Sequence, residues 1–217
     1  MLTFTEENYL KAIYHLSAGG SKDVLTNEIA EAMNTKAASA TDMIKKLSAK
    51  NFISYERYYG VQITRQGKAE ALLVIRKHRL WETFLVQKLR FNWDEVHDIA
   101  EQLEHIQSSV LIQKLDEFLG FPSTDPHGEP IPDRHGKVNV QAQTPLNELL
   151  PGYKGVIVAV KDSDSNLLKY LHKVGAIPGK RIKLLSKEEY DESLEIEIED
   201  KIVSISKIVS QNILVAV

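Results

Sequence analysis

The sequence predicts a mainly α-helical chain that ends in a small β domain. Apolar residues recur at helical spacing through the first half of the chain. Pro122, Pro126, Pro130 and Pro132 then interrupt helical structure, and from Leu149 onward short strand-like runs take over. At 217 residues, 43% apolar and 26% charged, the chain can bury one large core or two to three small ones, and its evenly spread Leu, Ile and Val argue against disorder. No apolar run reaches the roughly 18 residues of a membrane-spanning helix. Glu6 and Glu7 stand where a signal peptide carries positive charge, and cysteine is absent. Disulfides, thiolate metal sites and cysteine nucleophiles are thereby excluded, and a cytoplasmic location with no membrane partner is expected.

Residues 4–17 read as a first helix, with Tyr9, Ile13, Tyr14 and Leu16 near helical spacing, Thr5 as N-cap and Gly19-Gly20 as its stop. A short second helix over 26–33 takes Thr26 as N-cap and turns Ile29, Ala30 and Met33 inward. A third, over 37–49, carries Ala40, Met43, Ile44 and Leu47 on one stripe. Residues 52–55 and 61–64 alternate around Tyr59-Gly60 as a β-hairpin. Three helices and a hairpin in this order are the layout of a winged helix-turn-helix domain. Helices are then expected over about 65–90 and 93–119, the second with Ile99, Leu103, Ile106, Val110, Leu111, Leu115 and Phe118 at helical spacing. That stripe is broader than one neighbouring helix needs, so part of it is expected to be a dimer surface. Residues 133–146 are polar and irregular. Strands at 155–160, 181–185, 194–198, 202–205 and 213–217, with a short helix near 166–173, read as a small β-barrel.

A net charge of −3 hides an asymmetry. Ten Lys and Arg between Lys36 and Arg79 face three acids, whereas ten acids between Asp94 and Asp133 face Lys114 alone. A basic block suits a polyanion, and an acidic block holding His97, His105 and His127 suits a cation. On the expected third helix, Thr35, Lys36, Ser39, Thr41 and Asp42 lie near the start and Lys45 and Lys46 further on; short polar groups can meet base edges while lysines meet phosphates. Arg57 in the hairpin adds to this candidate DNA surface.

His97, Glu101, Glu104 and His105 fall at i, i+4, i+7 and i+8, one face of a single helix, and His78 and Glu82 form an i, i+4 pair on the helix before it. Three carboxylates buried together would repel, and a divalent cation relieves that conflict. Imidazole and carboxylate without sulfur favour Mn²⁺, Fe²⁺ or Zn²⁺. Asp125-Pro126-His127-Gly128 offers a second carboxylate and imidazole in a constrained loop. In the barrel, Asp162 and Asp164 pose the same question, with an Asx turn as the simpler answer. Phosphate-loop, dinucleotide-binding, nucleophile-elbow and H-E-x-x-H motifs are absent. Two other functions stay open on these residues: a carboxylate-bridged di-metal oxidoreductase, which needs Glu-x-x-His on two helices, and a metal-independent winged-helix DNA-binding protein.

These stretches resemble the diphtheria-toxin-repressor family of metal-dependent transcriptional regulators. The resemblance runs through Glu7-Asn8-Tyr9-Leu10-Lys11-Ala12-Ile13-Tyr14, Arg76-Lys77-His78-Arg79-Leu80-Trp81-Glu82, Glu95-Val96-His97-Asp98, Leu103-Glu104-His105 and Asp125-Pro126-His127-Gly128-Glu129-Pro130-Ile131-Pro132. Pro151-Gly152 and Gly175-Ala176-Ile177-Pro178-Gly179 look like the SH3-like barrel of the iron-transport A type. The resemblance implies a homodimeric repressor, not an enzyme, with no small-molecule substrate, that binds double-stranded DNA at a palindromic operator when metal is bound. It implies one metal site at His78, Glu101, Glu104 and His105 with Asn8, where relatives commonly carry Asp or Met. Glu101 in place of the Cys of the iron-responsive branch resembles the manganese-responsive branch. A second site is implied at Glu82, Asp125, His127 and Asp162, joined by His97. Mn²⁺ is the expected metal, with Fe²⁺ second and Zn²⁺ able to bind. The expected boundaries are 1–64 for the winged domain, 65–133 for a helical dimerisation and metal-binding domain, 134–148 for a linker and 149–217 for the barrel.

Overall fold

The computed structural model describes residues 2–56, 59–139 and 142–216. They fall into two compact units. One holds the chain up to His78 with Leu103–Ser108 and Pro132–Val138; the other holds Arg79–Gln102, Ser109–Ile131 and the chain from Asn139 onward.

In the first unit, α1 (Phe4–Leu16), α2 (Thr26–Ala32) and α3 (Ala37–Ala49) precede the hairpin β1 (Ile53–Glu56) and β2 (Gly60–Ile63). The cap of α1 is Thr3, not Thr5. Thr3-Phe4-Thr5-Glu6 is a capping box: the Thr3 hydroxyl accepts from the Glu6 N–H at 3.3 Å and Glu6 accepts from the Thr3 N–H at 2.9 Å, which Thr5 cannot match because Asn8 follows it at that spacing. Nor does the Thr26 hydroxyl cap α2; Leu25 holds the cap position and its N–H donates to Glu28. Tyr9, Leu10 and Ile13 of α1 meet Ile29, Ala40, Ile44, Leu47, Ile53 and Val61 in one core. Ile53 pairs with Ile63 and Glu56 with Gly60 across the hairpin. Arg57, the expected wing contact, lies outside the described residues.

Helix α4 (Arg65–Gln87) runs through both units. The single helix expected over 93–119 is instead α5 (His97–Leu103) and α6 (Ser109–Phe118), separated at 104–108. In the second unit Leu80, Ile112, Leu115 and Ile131 form a small core with Trp81, Phe84 and Leu119 packed on it.

The remaining strands are β3 (Gln143–Pro145), β4 (Lys154–Val160), β5 (Arg181–Lys187), β6 (Leu194–Ile198), β7 (Lys201–Ile205) and β8 (Ile213–Ala216), with α7 (Ser165–Val174) and a short α8 (Lys207–Ser210). They make an antiparallel sheet in the order β3-β8-β4-β5-β6-β7. Its core includes Ile157, Leu168, Leu171, Leu184, Ile196 and Val215, with Trp93. The expected linker 134–148 is not free of structure. Asp133 accepts the His135 and Lys137 N–H groups in a tight turn, β3 pairs with β8, and Leu146 is fully buried. Polarity concealed this, because β3 is a three-residue edge strand whose backbone pairing asks little of its side chains.

Candidate metal centre

The first cluster lies within the first unit. Glu104 is wholly buried, and its two oxygens accept from Lys11 Nζ of α1 at 2.7 and 2.8 Å. His78 Nδ1 of α4 stands 2.7 Å from Glu104 Oε2. His105 Nδ1 is 2.5 Å from Glu7 Oε2, and its ring stacks on Phe4 with centroids 4.7 Å apart. Gln107 donates to the other Glu7 oxygen at 2.9 Å, and Lys77 Nζ lies 3.6 Å from it. Asn8 Oδ1 is buried with no hydrogen bond. These contacts explain why helix ends at Leu103. Glu104 and His105 form ion pairs and a ring stack with α1 and α4, which offset the few backbone hydrogen bonds another turn would add. The two residues are therefore not on one helix face with His97 and Glu101. Burial pushes the Glu104 carboxyl up, but the His78 hydrogen bond and the Lys11 and His78 charges outweigh it and hold the group below the usual carboxylate range.

The second cluster belongs to the second unit. Glu82, Asp125 and His127 are all buried and each offers a ligand atom within 4.8 Å of the others. The loop that carries Asp125 and His127 is seated on the sheet: the Val160 N–H of β4 donates to the His127 carbonyl at 2.8 Å. Gly128 is required there, because at φ +86° a Cβ would lie 1.9 Å from the Val158 carbonyl oxygen. Asp125 Oδ1 accepts the His127 and Glu129 N–H groups, which leaves Oδ2 without a hydrogen bond and 3.5 Å from Arg79 Nε. His127 Nε2 meets the Trp93 carbonyl at 2.8 Å, which directs Nδ1 to Glu82 at 3.7 Å. Burial and the Glu82 charge push the Asp125 carboxyl up, against the lowering pull of Arg79. Burial pulls the His127 imidazole down, but Glu82 and Asp125 outweigh it and hold it at about 9. His97 joins from α5, with Nδ1 3.4 Å from Glu82 and Nε2 3.6 Å from Glu101. Asp162 is outside the trio: it is exposed, and its Oδ1 accepts the Asp164 N–H in an Asx turn.

Three domain families match along the chain: the iron dependent repressor N-terminal DNA binding domain over residues 1–61, the iron dependent repressor metal binding and dimerisation domain over 64–133, and the FeoA domain over 144–217. The iron-dependent repressor IdeR of Mycobacterium leprae is 30% identical over 193 residues, 83% of this chain and 84% of that protein. The chain belongs to the diphtheria-toxin-repressor family of metal-dependent regulators. A manganese-dependent transcriptional repressor in complex with manganese is 33% identical with a TM-score of 0.87, covering 97% of this chain and 99% of that one. The repressor ScaR with bound Zn²⁺ is 31% identical with a TM-score of 0.77, covering 97% and 98%.

In a family of DNA-binding repressors the exposed face of α3 becomes the candidate interface. Lys36, Ser39, Asp42, Lys45 and Lys46 are exposed there, and Thr35 is half-buried. The Thr41 hydroxyl donates to the Ala37 carbonyl at 2.8 Å within the helix, which leaves its oxygen to act as an acceptor. Sequence reasoning missed three charged partners: Glu7 on His105, Lys11 on Glu104 and Arg79 on Asp125. For Glu7 a signal existed, since it falls three residues before the buried Leu10 and shares its helix face.

Proposed function

We propose a cytoplasmic, non-enzymatic repressor that binds a palindromic operator as a homodimer when manganese, or secondly ferrous iron, is bound. The observation that carries this is the tie between α1 of the DNA-binding domain and the turn at 104–105, made by Glu7 with His105. The residues present suit a hard divalent ion. Asn8 Oδ1 and Asp125 Oδ2 are buried oxygens without a hydrogen bond, each beside carboxylates and imidazoles. Glu7, Asn8, His78, Glu104 and His105 would hold one ion, and Glu82, Asp125 and His127, with His97 at the rim, another.

A bound ion supplies positive charge that these carboxylates share. The chain's own part is to make that charge matter to DNA. Glu7 and Asn8 sit on the helix that packs against α2 and α3, so fixing them on His105 restricts how α3 is presented. Moving such an equilibrium from 1% to 99% competent needs about 5.5 kcal/mol of differential affinity. On α6, Val110, Leu111 and Phe118 are exposed apolar residues, the stripe expected to form the dimer surface.

The test is selection of bound sequences from random DNA with Mn²⁺, Fe²⁺ or Zn²⁺, beside a chelated control. Inverted repeats should emerge with Mn²⁺ and vanish on chelation. Equal binding with and without metal would instead support a metal-independent DNA-binding protein, and oxygen consumption with ferrous iron an oxidoreductase.

A further inference from the structure

We propose that Lys11 is a built-in competitor for the metal at Glu104, so that its ammonium sets how much ion the first cluster needs before it fills. This rests on the reading of that cluster as a metal site. Both Glu104 oxygens accept from Lys11 Nζ, at 2.7 and 2.8 Å, and they are the atoms through which Glu104 would ligate. A carboxylate buried to this degree needs a counter-charge to stay ionised. In this structure Lys11 supplies it together with His78.

An ion on the same oxygens takes the lone pairs Lys11 uses and repels an ammonium a few ångströms away. The pair and the ion are therefore alternatives. A lysine suits the exchange: its charge is a point on a flexible four-carbon stem, and its side chain is already 14% exposed, so it can withdraw toward water while the stem stays packed. Metal-free protein is then stabilised by Lys11, and ligand exchange at Glu104 lowers the apparent metal affinity.

The test is Mn²⁺ titration by calorimetry on the full chain, wild type beside His105→Ala, Lys11→Leu and Lys11→Arg. The binding step that His105→Ala removes identifies the first cluster. Lys11→Leu should tighten that step about tenfold or more, the scale of one charge-assisted hydrogen bond no longer competing. Lys11→Arg, which keeps the charge, should stay much nearer the wild type. Melting temperature gives a second readout: Lys11→Leu should melt lower than the wild type without metal, and the deficit should disappear at saturating Mn²⁺. If Lys11→Leu does not fold without metal, Lys11→Gln is read the same way. An unchanged or weaker His105-dependent step in the folded variant, with the same melting deficit at both metal levels, overturns the competitor role while leaving the site intact. A wild type in which His105→Ala removes no step would remove both the site and this role.

Discussion

Asn8 Oδ1 and Asp125 Oδ2 are buried oxygens without hydrogen bonds, and an unsatisfied buried acceptor costs about 1–3 kcal/mol unless something meets it. At the residue scale this sets the expected behaviour of the ligands. Glu104→Ala or His105→Ala should abolish metal-dependent DNA binding, a loss of about 100-fold or more in metal affinity if a full ligand is removed, with circular dichroism and sedimentation still showing a folded dimer. Operator binding at limiting metal equal to wild type would dismiss the assignment. His127 gives a pH prediction. Its folded pKa of about 9 lies above the ordinary 6.5, so protonated His127 stabilises the metal-free protein fully below about 6.5, and that contribution is lost as pH rises through about 9. A ligand must be the neutral imidazole, so Mn²⁺ affinity at the step lost in His127→Ala should rise across this window, by up to about tenfold per pH unit. A flat profile from pH 6.5 to 8.5 would take His127 out of the ligand set. His78, Glu104, His105 and the Asp125–His127 pair were legible as candidates because their types and spacing are unusual. Glu7 was harder to read, because two acids in a first turn also serve the helix dipole, and its spacing to Leu10 is the one hint in the sequence that it turns inward.

At the element scale, long apolar periodicity reads well and its interruptions do not. Helices α1, α3 and α4 follow from spacing, since each buries a continuous stripe. The break between α5 and α6 carries no Pro or Gly, and it arises because Glu104 and His105 find partners distant in sequence. No local rule contains that information. Likewise β3 lies in a polar stretch and is held by β8, some seventy positions later. For α3 the structure narrows the expected roles. Lys45 and Lys46 are exposed, so replacing both by Ala should weaken binding to all sequences alike and flatten the salt dependence by about one unit of logarithmic slope per lost phosphate contact. Ser39→Ala should shift the preferred base at one operator position, and Thr41→Val, whose hydroxyl donates to Ala37 and keeps only its acceptor role, should shift preference less. Fluorescence anisotropy over a salt series and over single-base operator variants separates the two effects; an unchanged slope in the lysine variant would place the DNA face elsewhere.

At the scale of the whole molecule, the charge asymmetry maps onto function more directly than composition alone allows. The basic block contains α3 and the acidic block contains most of the ligand candidates, and neither is diluted by the C-terminal domain. The same arrangement fixes what metal choice should look like. Among the described residues the two clusters contain no sulfur: the chain lacks cysteine, and Met33 and Met43 pack against the core of the first unit. Carboxylates, an amide oxygen and a few imidazoles suit Mn²⁺ and Fe²⁺, yet raw affinity for such donors rises toward Zn²⁺. Selectivity must then come from how many donors the ion engages. Zn²⁺ is satisfied by four, and the cluster offers His78, Glu104, His105 and Glu7 before Asn8 is needed. An ion that accepts more ligands would also engage Asn8 and hold α1 more completely. Zn²⁺ is therefore expected to bind at least as tightly as Mn²⁺ and to activate DNA binding less. Asn8→Ala should narrow that difference by weakening activation with Mn²⁺ while barely changing Zn²⁺. Parallel titrations of metal occupancy and operator binding decide it: if Zn²⁺ at equal occupancy activates as well as Mn²⁺, and Asn8→Ala affects both alike, coordination number does not select the metal here.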